Sequence, residues 1–134
     1  MKKGYYGNIE RLTTDNQDFR RVLYTAADCQ LVLMSLLPGE EIGLEAHKEG
    51  DQFFRFEQGA GQLTIDGTTY TVTDGDAVIV PMGATHNVIN TSPTEALKLY
   101  TIYAPPHHQD QLVRSTRAEA EASSPEFDGM TTEE

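Results

Sequence analysis

Cysteine is almost absent from this sequence, and long hydrophobic runs are absent altogether. With one cysteine the chain cannot form an internal disulfide, which predicts a reducing compartment such as the cytoplasm. Cys29 stands directly before the apolar segment LVLMSLL, and we expect a buried, unreactive thiol there. No apolar run reaches the roughly 18 residues of a membrane span. The start MKKGYYGNIE has no apolar segment behind its lysines, so a secretory signal is not expected either.

Basic residues are also scarce, since 10 Lys and Arg stand against 21 Asp and Glu, for a formal net charge of −11. This balance argues against binding to nucleic acid or to an anionic membrane surface. The acidic excess is concentrated in residues 118–134, which contain six acidic residues and no Lys or Arg. We interpret this segment as a solvated acidic tail that aids solubility, with its last ten residues disordered. The six acidic residues are Glu119, Glu121, Glu126, Asp128, Glu133 and Glu134.

Turn-forming residues recur at short intervals and separate segments of strand length that are rich in β-branched and aromatic residues. The dipeptide Asp66-Gly67 between QLTI and TTYTV predicts a β-hairpin. Residues 97–103 alternate between two faces, and the nearly all-apolar segment 29–37 predicts a strand covered on both sides. A helix is predicted only after the strands, where Thr116 and Glu119 form a T-x-x-E capping box. This pattern is typical of an all-β antiparallel sandwich or barrel.

Candidate metal ligands crowd into the stretch GLEAHKEGDQFFRFEQG. Glu45 and His47 are two positions apart, so on a strand they point to the same face. The intervening KEGD predicts a hairpin that brings Gln52 back opposite them. Gln is a weak ligand, so a fourth ligand is needed, and His86 is the best candidate because it follows the tight turn PMGAT. The alternative is an ordinary polar hairpin with hydrogen-bonded histidines.

Taken together, two segments of the chain resemble the motifs of the cupin superfamily. The first motif is commonly written G-x5-H-x-H-x3,4-E-x6-G. Gly39 and Gly59 bound it here, and Glu45, His47 and Gln52 stand at its His, His and Glu positions. The second motif, G-x5-P-x-G-x2-H-x3-N, is complete. Its residues are Gly75, Pro81, Gly83, His86 and Asn90.

The resemblance covers about residues 31–104 and extends to small bacterial single-cupin proteins often described as similar to mannose-6-phosphate isomerase. It implies a double-stranded β-helix of jelly-roll type, to which the capping box adds a short C-terminal helix. We expect a single cupin domain over residues 1–117, with N-terminal strands in residues 1–30 and the acidic helix end and tail in residues 118–134. The segment 5–26 is suited to covering an exposed edge of a second copy, which predicts a homodimer.

The resemblance also implies one divalent transition metal inside the barrel, held by Glu45, His47, Gln52 and His86. A set of one carboxylate, two imidazoles and one amide oxygen suits Mn²⁺, Fe²⁺, Ni²⁺ or Zn²⁺ and does not choose among them. Some sugar-acid-processing cupins linked to pectin breakdown also carry Gln at the third ligand position. An open coordination position on such an ion is a Lewis acid that can hold both oxygens of a hydroxy-carbonyl compound.

The first functional hypothesis is therefore an isomerase or tautomerase that acts on a small sugar or sugar acid. The alternatives are a cupin dioxygenase acting on an enediol or enol, and a non-catalytic cupin that binds a metabolite. No general base is evident in the sequence. Tyr103 is a candidate by strand face, and His107 or His108 by reach across the barrel mouth, with surface histidines as the alternative. Substrate contact is expected from Met34, Phe54 and Phe56, for which core packing is the alternative.

Overall fold

The protein is built from two antiparallel sheets, and the computed structural model describes residues 1–133. Within those residues the larger sheet has six strands and the smaller has four. The strands are β1 Arg20–Thr25, β2 Gln30–Leu36, β3 Glu45–Ala46, β4 Asp51–Gln58, β5 Ala60–Ile65, β6 Thr68–Thr73, β7 Ala77–Val80, β8 Thr85–Asn90, β9 Leu97–Ala104 and β10 Val113–Arg114. The helices are α1 Ile9–Asp15 and α2 Arg117–Ala122.

The strand order is β10-β1-β2-β9-β4-β7 in one sheet and β3-β8-β5-β6 in the other. Every pairing in the two sheets is antiparallel. The jelly-roll barrel with a short C-terminal helix is thus confirmed. No helix among residues 1–133 is long and apolar enough to cross a membrane.

Alternating burial along the strands places the core between the sheets. In β9 every second residue from Leu97 to Tyr103 is buried, and β8 buries His86, Val88 and Asn90. The central strand β2 is buried at six of its seven positions, as its apolar sequence predicted. Successive side chains of an extended strand point to opposite faces. His86 therefore points inward together with Val88 and Asn90.

The Asp66-Gly67 turn joins β5 to β6 as predicted. Both residues have positive φ, 43° and 86°, the backbone conformation that a two-residue type I′ turn requires. The hairpin predicted between His47 and Gln52 is wrong. β3 pairs with β8, whereas β4 pairs with β7 and β9 in the other sheet.

The turn between His47 and Asp51 therefore crosses from one sheet to the other. Gly50 lies where this crossing is tightest, because a Cβ atom there would clash with the carbonyl oxygen of Ala104. In a hairpin, Gln52 would lie in the same sheet as Glu45 and His47. Because the chain changes sheets, Gln52 instead faces them from the opposite sheet.

Helix α1 was not predicted, since residues 1–30 were expected to form strands. Its N-terminus is capped by Asn8, whose side chain accepts a hydrogen bond from the backbone N–H of Arg11. Its C-terminal end is held by Lys98, which donates to the carbonyl oxygens of Thr14 and Asn16 at 2.9 and 2.8 Å. A helix of seven residues is too short to be stable alone, so these tertiary contacts stabilise it. The earlier strand expected at residues 19–26 is present as β1.

Cys29 is exposed, so the prediction of a buried thiol is wrong. It lies in the turn between β1 and β2, where the N–H of Ala26 donates to its carbonyl oxygen at 2.9 Å. The apolar strand begins one residue later, at Gln30, and leaves the thiol outside the sheet.

The C-terminal segment runs back along the barrel. Glu126 forms an antiparallel bridge with His108, and Thr132 donates its backbone N–H to the carbonyl of Thr25 at 2.9 Å. The sequence predicted disorder in the last ten residues, of which Glu134 lies outside the described residues. Among the others, Glu126, Phe127 and Thr132 form backbone contacts with distant parts of the chain. Helix α2 is capped as predicted, since the N–H of Glu119 donates to the hydroxyl of Thr116.

Candidate metal centre

The two segments that resemble the cupin motifs meet in the four-stranded sheet, where β3 pairs with β8. Glu45 of β3 lies directly opposite His86 of β8 in the antiparallel register. The turn before β8 is hydrogen-bonded to the segment that carries Glu45 and His47, because the N–H of Gly83 donates to the carbonyl of His47 at 2.9 Å. The ring centroids of His47 and His86 are 5.3 Å apart. Strand pairing and this turn contact therefore bring three of the four predicted ligands together.

Gln52 approaches from the other sheet and is 2% exposed. Its Nε2 donates to Oγ1 of Thr101 at 2.9 Å, and that hydroxyl donates onward to the carbonyl of Phe53 at 2.8 Å. The amide nitrogen is thus occupied, while the amide oxygen Oε1 is buried without a hydrogen-bond partner among residues 1–133.

Two imidazole nitrogens are also buried without a hydrogen-bond partner. The Nε2 atoms of His47 and His86 are buried and have no hydrogen-bond partner in the described chain. The other ring nitrogen of His86, Nδ1, lies 3.4 Å from the carbonyl of Ala84, an arrangement that favours a proton on Nδ1 and a lone pair on Nε2. Buried polar atoms are nearly always paired, so unpartnered atoms on three of the predicted ligands fit a metal bound through Nε2, Nε2 and Oε1.

The fourth predicted ligand, Glu45, completes the donor set. Its Oε2 lies 3.9 Å from Nε2 of His47. Glu45, His47 and His107 each offer one ligand atom, and these atoms lie within 4.8 Å of one another. Glu45, His47 and His107 thus fit a divalent transition ion, for which imidazole and carboxylate are ordinary ligands. This group contains two of the four predicted ligands and His107, which was not among them, and it does not include His86.

His107 and His108 are drawn into this cluster, against the alternative that they are surface histidines. The rings of His107 and His47 are 4.4 Å apart between centroids, and His108 is only 5% exposed. A single buried side chain holds their backbone, since Oε1 of Gln30 accepts from both N–H groups, at 3.2 and 3.0 Å. Gln30 also donates to the carbonyl of His108 at 2.7 Å. No pattern in the sequence indicates this role of Gln30.

The two catalytic candidates named from sequence pair with each other. Nε2 of His108 lies 3.2 Å from the hydroxyl of Tyr103, and burial raises the pKa of that hydroxyl far above its usual range. Tyr103 therefore stays protonated and donates to His108. This pair rests against His107, whose ring stacks on Tyr103 with 5.2 Å between centroids.

Burial sets the protonation of the cluster. It lowers the pKa of His47 and of His86, because desolvation disfavours the charged ring. Burial and then the charges of His47 and Arg20 lower the pKa of His107 to about 4. Burial raises the pKa of Glu45, against an opposing effect of Arg20. The three imidazoles are therefore neutral near neutral pH, the form in which a histidine binds metal.

Two cavities flank the cluster. One, of about 310 Å³, opens at the turn between β3 and β4 and is lined by His47, Tyr103 and His107 among others. The other, of about 220 Å³, is lined by Arg20, Glu45 and His107 on the side of helix α2. His107 borders both cavities, so it stands where a small molecule entering either one would reach the cluster.

The predicted substrate-contact residues lie deeper. Met34, Phe54 and Phe56 are 0% exposed and belong to the hydrophobic core. Phe54 packs its ring against His86 at 5.9 Å between centroids and stacks on Phe56 at 6.4 Å. They close the inner end of the site, and contact with a substrate stays a prediction for all three.

Comparison with known proteins identifies the class. A family profile described as a cupin domain matches residues 32–103, and the chain belongs to this family. It is 46% identical over 127 residues to the uncharacterized protein YrkC of Bacillus subtilis, which covers 90% of this chain and 68% of that protein. It is 42% identical over 108 residues to the uncharacterized protein L612 of Acanthamoeba polyphaga mimivirus, which covers 78% of this chain and 67% of that protein.

Solved structures agree with the fold. BH2720 from Bacillus halodurans superposes with a TM-score of 0.87 at 42% identity, over 90% of this chain and 96% of that one. KdgF from Halomonas sp. superposes with a TM-score of 0.60 at 21% identity, over 64% of this chain and 76% of that one. At that identity the second likeness concerns the fold alone.

Proposed function

We propose that this cupin binds one divalent transition ion through Glu45, His47, Gln52 and His86 and catalyses isomerisation or tautomerisation of a small hydroxy-carbonyl compound. The observation that supports the proposal is the set of unpartnered buried atoms on His47, Gln52 and His86. Leaving such atoms without a partner costs roughly 1–3 kcal/mol each. A bound ion would satisfy all three together.

When bound, the ion would supply Lewis acidity to adjacent oxygens of a hydroxy-carbonyl compound and stabilise the negative charge that develops on them. The chain itself supplies the remaining parts. His107, neutral near neutral pH and placed on both cavities, takes a proton onto a ring nitrogen from the carbon that bears the hydroxyl and returns it to the former carbonyl carbon. The hydroxyl proton passes to the former carbonyl oxygen, so that hydroxyl and carbonyl exchange places.

Tyr103 and His108 are assigned a positioning role in this proposal. The Tyr103 hydroxyl stays protonated because burial raises its pKa, which makes it a donor and not a base. Its contacts with the rings of His107 and His108 at 5.2 and 5.1 Å fix the orientation of both. The core residue Phe54 closes the site behind His86 and excludes water from that side.

The test is deuterium exchange at carbon, followed by NMR, with a panel of hydroxy-carbonyl compounds in D₂O. Metal-loaded protein should exchange the hydrogen beside the carbonyl of at least one compound, and His107→Gln should retain metal while slowing exchange on the order of 100-fold. Oxygen consumption without exchange would favour the dioxygenase alternative. A compound that stabilises the protein against heat without exchange or oxygen consumption would favour a non-catalytic binding protein.

The single domain over residues 1–117 and a homodimer both remain predictions. Within the described chain, β1 is paired on both sides by its own β2 and β10, so a dimer would use a surface other than that strand's edge.

A further inference from the structure

Arg20 is a buried cation that forms no ion pair with a carboxylate of residues 1–133. Arg20 is 7% exposed, and its Nε has no hydrogen-bond partner in the described chain. No carboxylate of residues 1–133 lies within ion-pair distance of it, although Arg21 beside it pairs with Asp18 at 2.8 Å. Its guanidinium lies 5.3 Å from the centroid of the Phe19 ring, and Glu45 interacts with it electrostatically without forming an ion pair. Burying a charge that has no hydrogen-bonded partner is costly, so this arrangement suits a guanidinium that receives its partner from a ligand.

The strand register directs Arg20 inward. It lies opposite Met34 of β2, and the alternation of β1 buries Arg20 and Val22 while exposing Arg21. Arg20 lines the cavity of about 220 Å³ together with Glu45 and His107. The guanidinium therefore faces the same space as one proposed metal ligand and the proposed base.

The charges around the cavity favour a singly charged anion. Its other basic residue, Arg117, is engaged by Glu121 at 2.9 Å. Three acidic residues also line the cavity, namely Glu45, Glu121 and Glu126, and these repel a dianion such as phosphate. A planar guanidinium matches a carboxylate through two parallel hydrogen bonds.

We propose that the Arg20 cavity is a carboxylate subsite, so that the ligand of this cupin is a hydroxy-carbonyl acid whose carboxylate pairs with Arg20 while its reacting carbons lie at the metal cluster. The assignment of the reacting carbons depends on the proposed function. The carboxylate subsite itself depends only on Arg20.

The test is calorimetric titration of the full chain with two matched probes, hydroxypyruvate and dihydroxyacetone, which differ by a carboxylate in place of a hydroxymethyl group. The Ni²⁺-loaded protein should bind hydroxypyruvate about tenfold or more tightly than dihydroxyacetone. Arg20→Gln should reduce that preference to less than about threefold, and Arg20→Lys should retain part of it. Arg21→Gln, one residue away and exposed, is the matched control and should keep the full preference.

Three outcomes would overturn the carboxylate subsite. They are equal binding of the two probes by metal-loaded wild-type protein, an unchanged preference in Arg20→Gln, and competition by inorganic phosphate as strong as that by hydroxypyruvate. The comparison of the two probes on wild-type protein needs no variant, so the proposal can be tested even if Arg20→Gln does not fold. In chelator-treated protein the preference should persist at lower affinity. Failure to retain any metal together with a persistent preference would contradict the proposed function alone.

Discussion

Gln52 and Thr101 fix each other across two neighbouring strands. Nε2 of Gln52 donates to Oγ1 of Thr101 at 2.9 Å, and the same hydroxyl donates to the carbonyl of Phe53 at 2.8 Å. The hydroxyl thus has its donor and acceptor roles assigned, and it turns the amide oxygen of Gln52 toward the histidines. This contact holds the amide of Gln52 in one orientation, as the proposed role of this weak ligand requires.

Replacement of Thr101 by valine should weaken metal binding without removing a ligand. The change is nearly isosteric but deletes the acceptor for Nε2, so the amide can rotate and lose its orientation. Partners of metal ligands typically contribute about 10–100-fold in affinity, and we expect a loss of about tenfold in the dissociation constant of Ni²⁺ measured by competition with a chromogenic chelator. Thr71→Val on the exposed face of β6 is the control. Equal affinities in both variants would show that Thr101 does not position Gln52.

Replacement of Gln30 by alanine should destabilise the loop that carries His107 and His108. The change leaves the buried N–H of His108 and the partly buried N–H of His107 without an acceptor, at a cost of roughly 1–3 kcal/mol for a buried group. Urea denaturation should show a free energy of unfolding lower by about 2–4 kcal/mol. Gln62→Ala, at an exposed position of β5, should change it by less than about 0.5 kcal/mol. If the two variants lose equal stability, Gln30 does not have the role assigned to it.

The metal-free protein should lose stability as the pH falls. Burial lowers the pKa of His47, His86 and His107 from 6.5, and for His107 to about 4. The unfolded chain therefore binds more protons than the folded chain between pH 6.5 and 4, and stability is fully present above 6.5. Burial also lowers the pKa of His108. The raised pKa of Glu45 opposes the loss of stability only in part, since one carboxyl stands against four imidazoles.

Urea denaturation at pH 7 and pH 5 measures this effect, with a limiting slope of about 1.4 kcal/mol per pH unit for each histidine. His107→Gln should flatten the dependence, since it removes one of the groups that titrate. A free energy of unfolding that stays constant or rises as the pH is lowered over this interval would contradict the assignment of neutral, buried imidazoles.

Much of the fold was predictable because the information is local. Alternation along β8 and β9 shows which residues face inward, and the Asp66-Gly67 dipeptide specifies its own turn. Helix α1 could not be predicted in this way. Its stability depends on Lys98, which reaches the carbonyl of Thr14 from 84 residues away.

The candidate site also contains residues that the local sequence predicts and residues that only long-range contacts place. Glu45, His47, Gln52 and His86 are found by spacing, although the predicted hairpin around Lys48 was wrong because the chain changes sheets there. His107 has no such spacing, since its place beside His47 is set by Gln30, 77 residues earlier in the chain. The burial of Arg20 beside the site could not be predicted either. Its burial follows from pairing with β2, and only the structure shows that no carboxylate accompanies it.

Elemental analysis is the most direct test of the proposed metal centre. Protein purified without chelator should contain about one equivalent of a divalent transition metal per chain, and chelation followed by addition of Mn²⁺, Fe²⁺, Ni²⁺ or Zn²⁺ should restore it. His86→Ala should lower the bound fraction severely, because it removes the ligand that lies opposite Glu45. Less than about a tenth of an equivalent in the wild-type protein, unrestored by any of these four ions, would contradict the account.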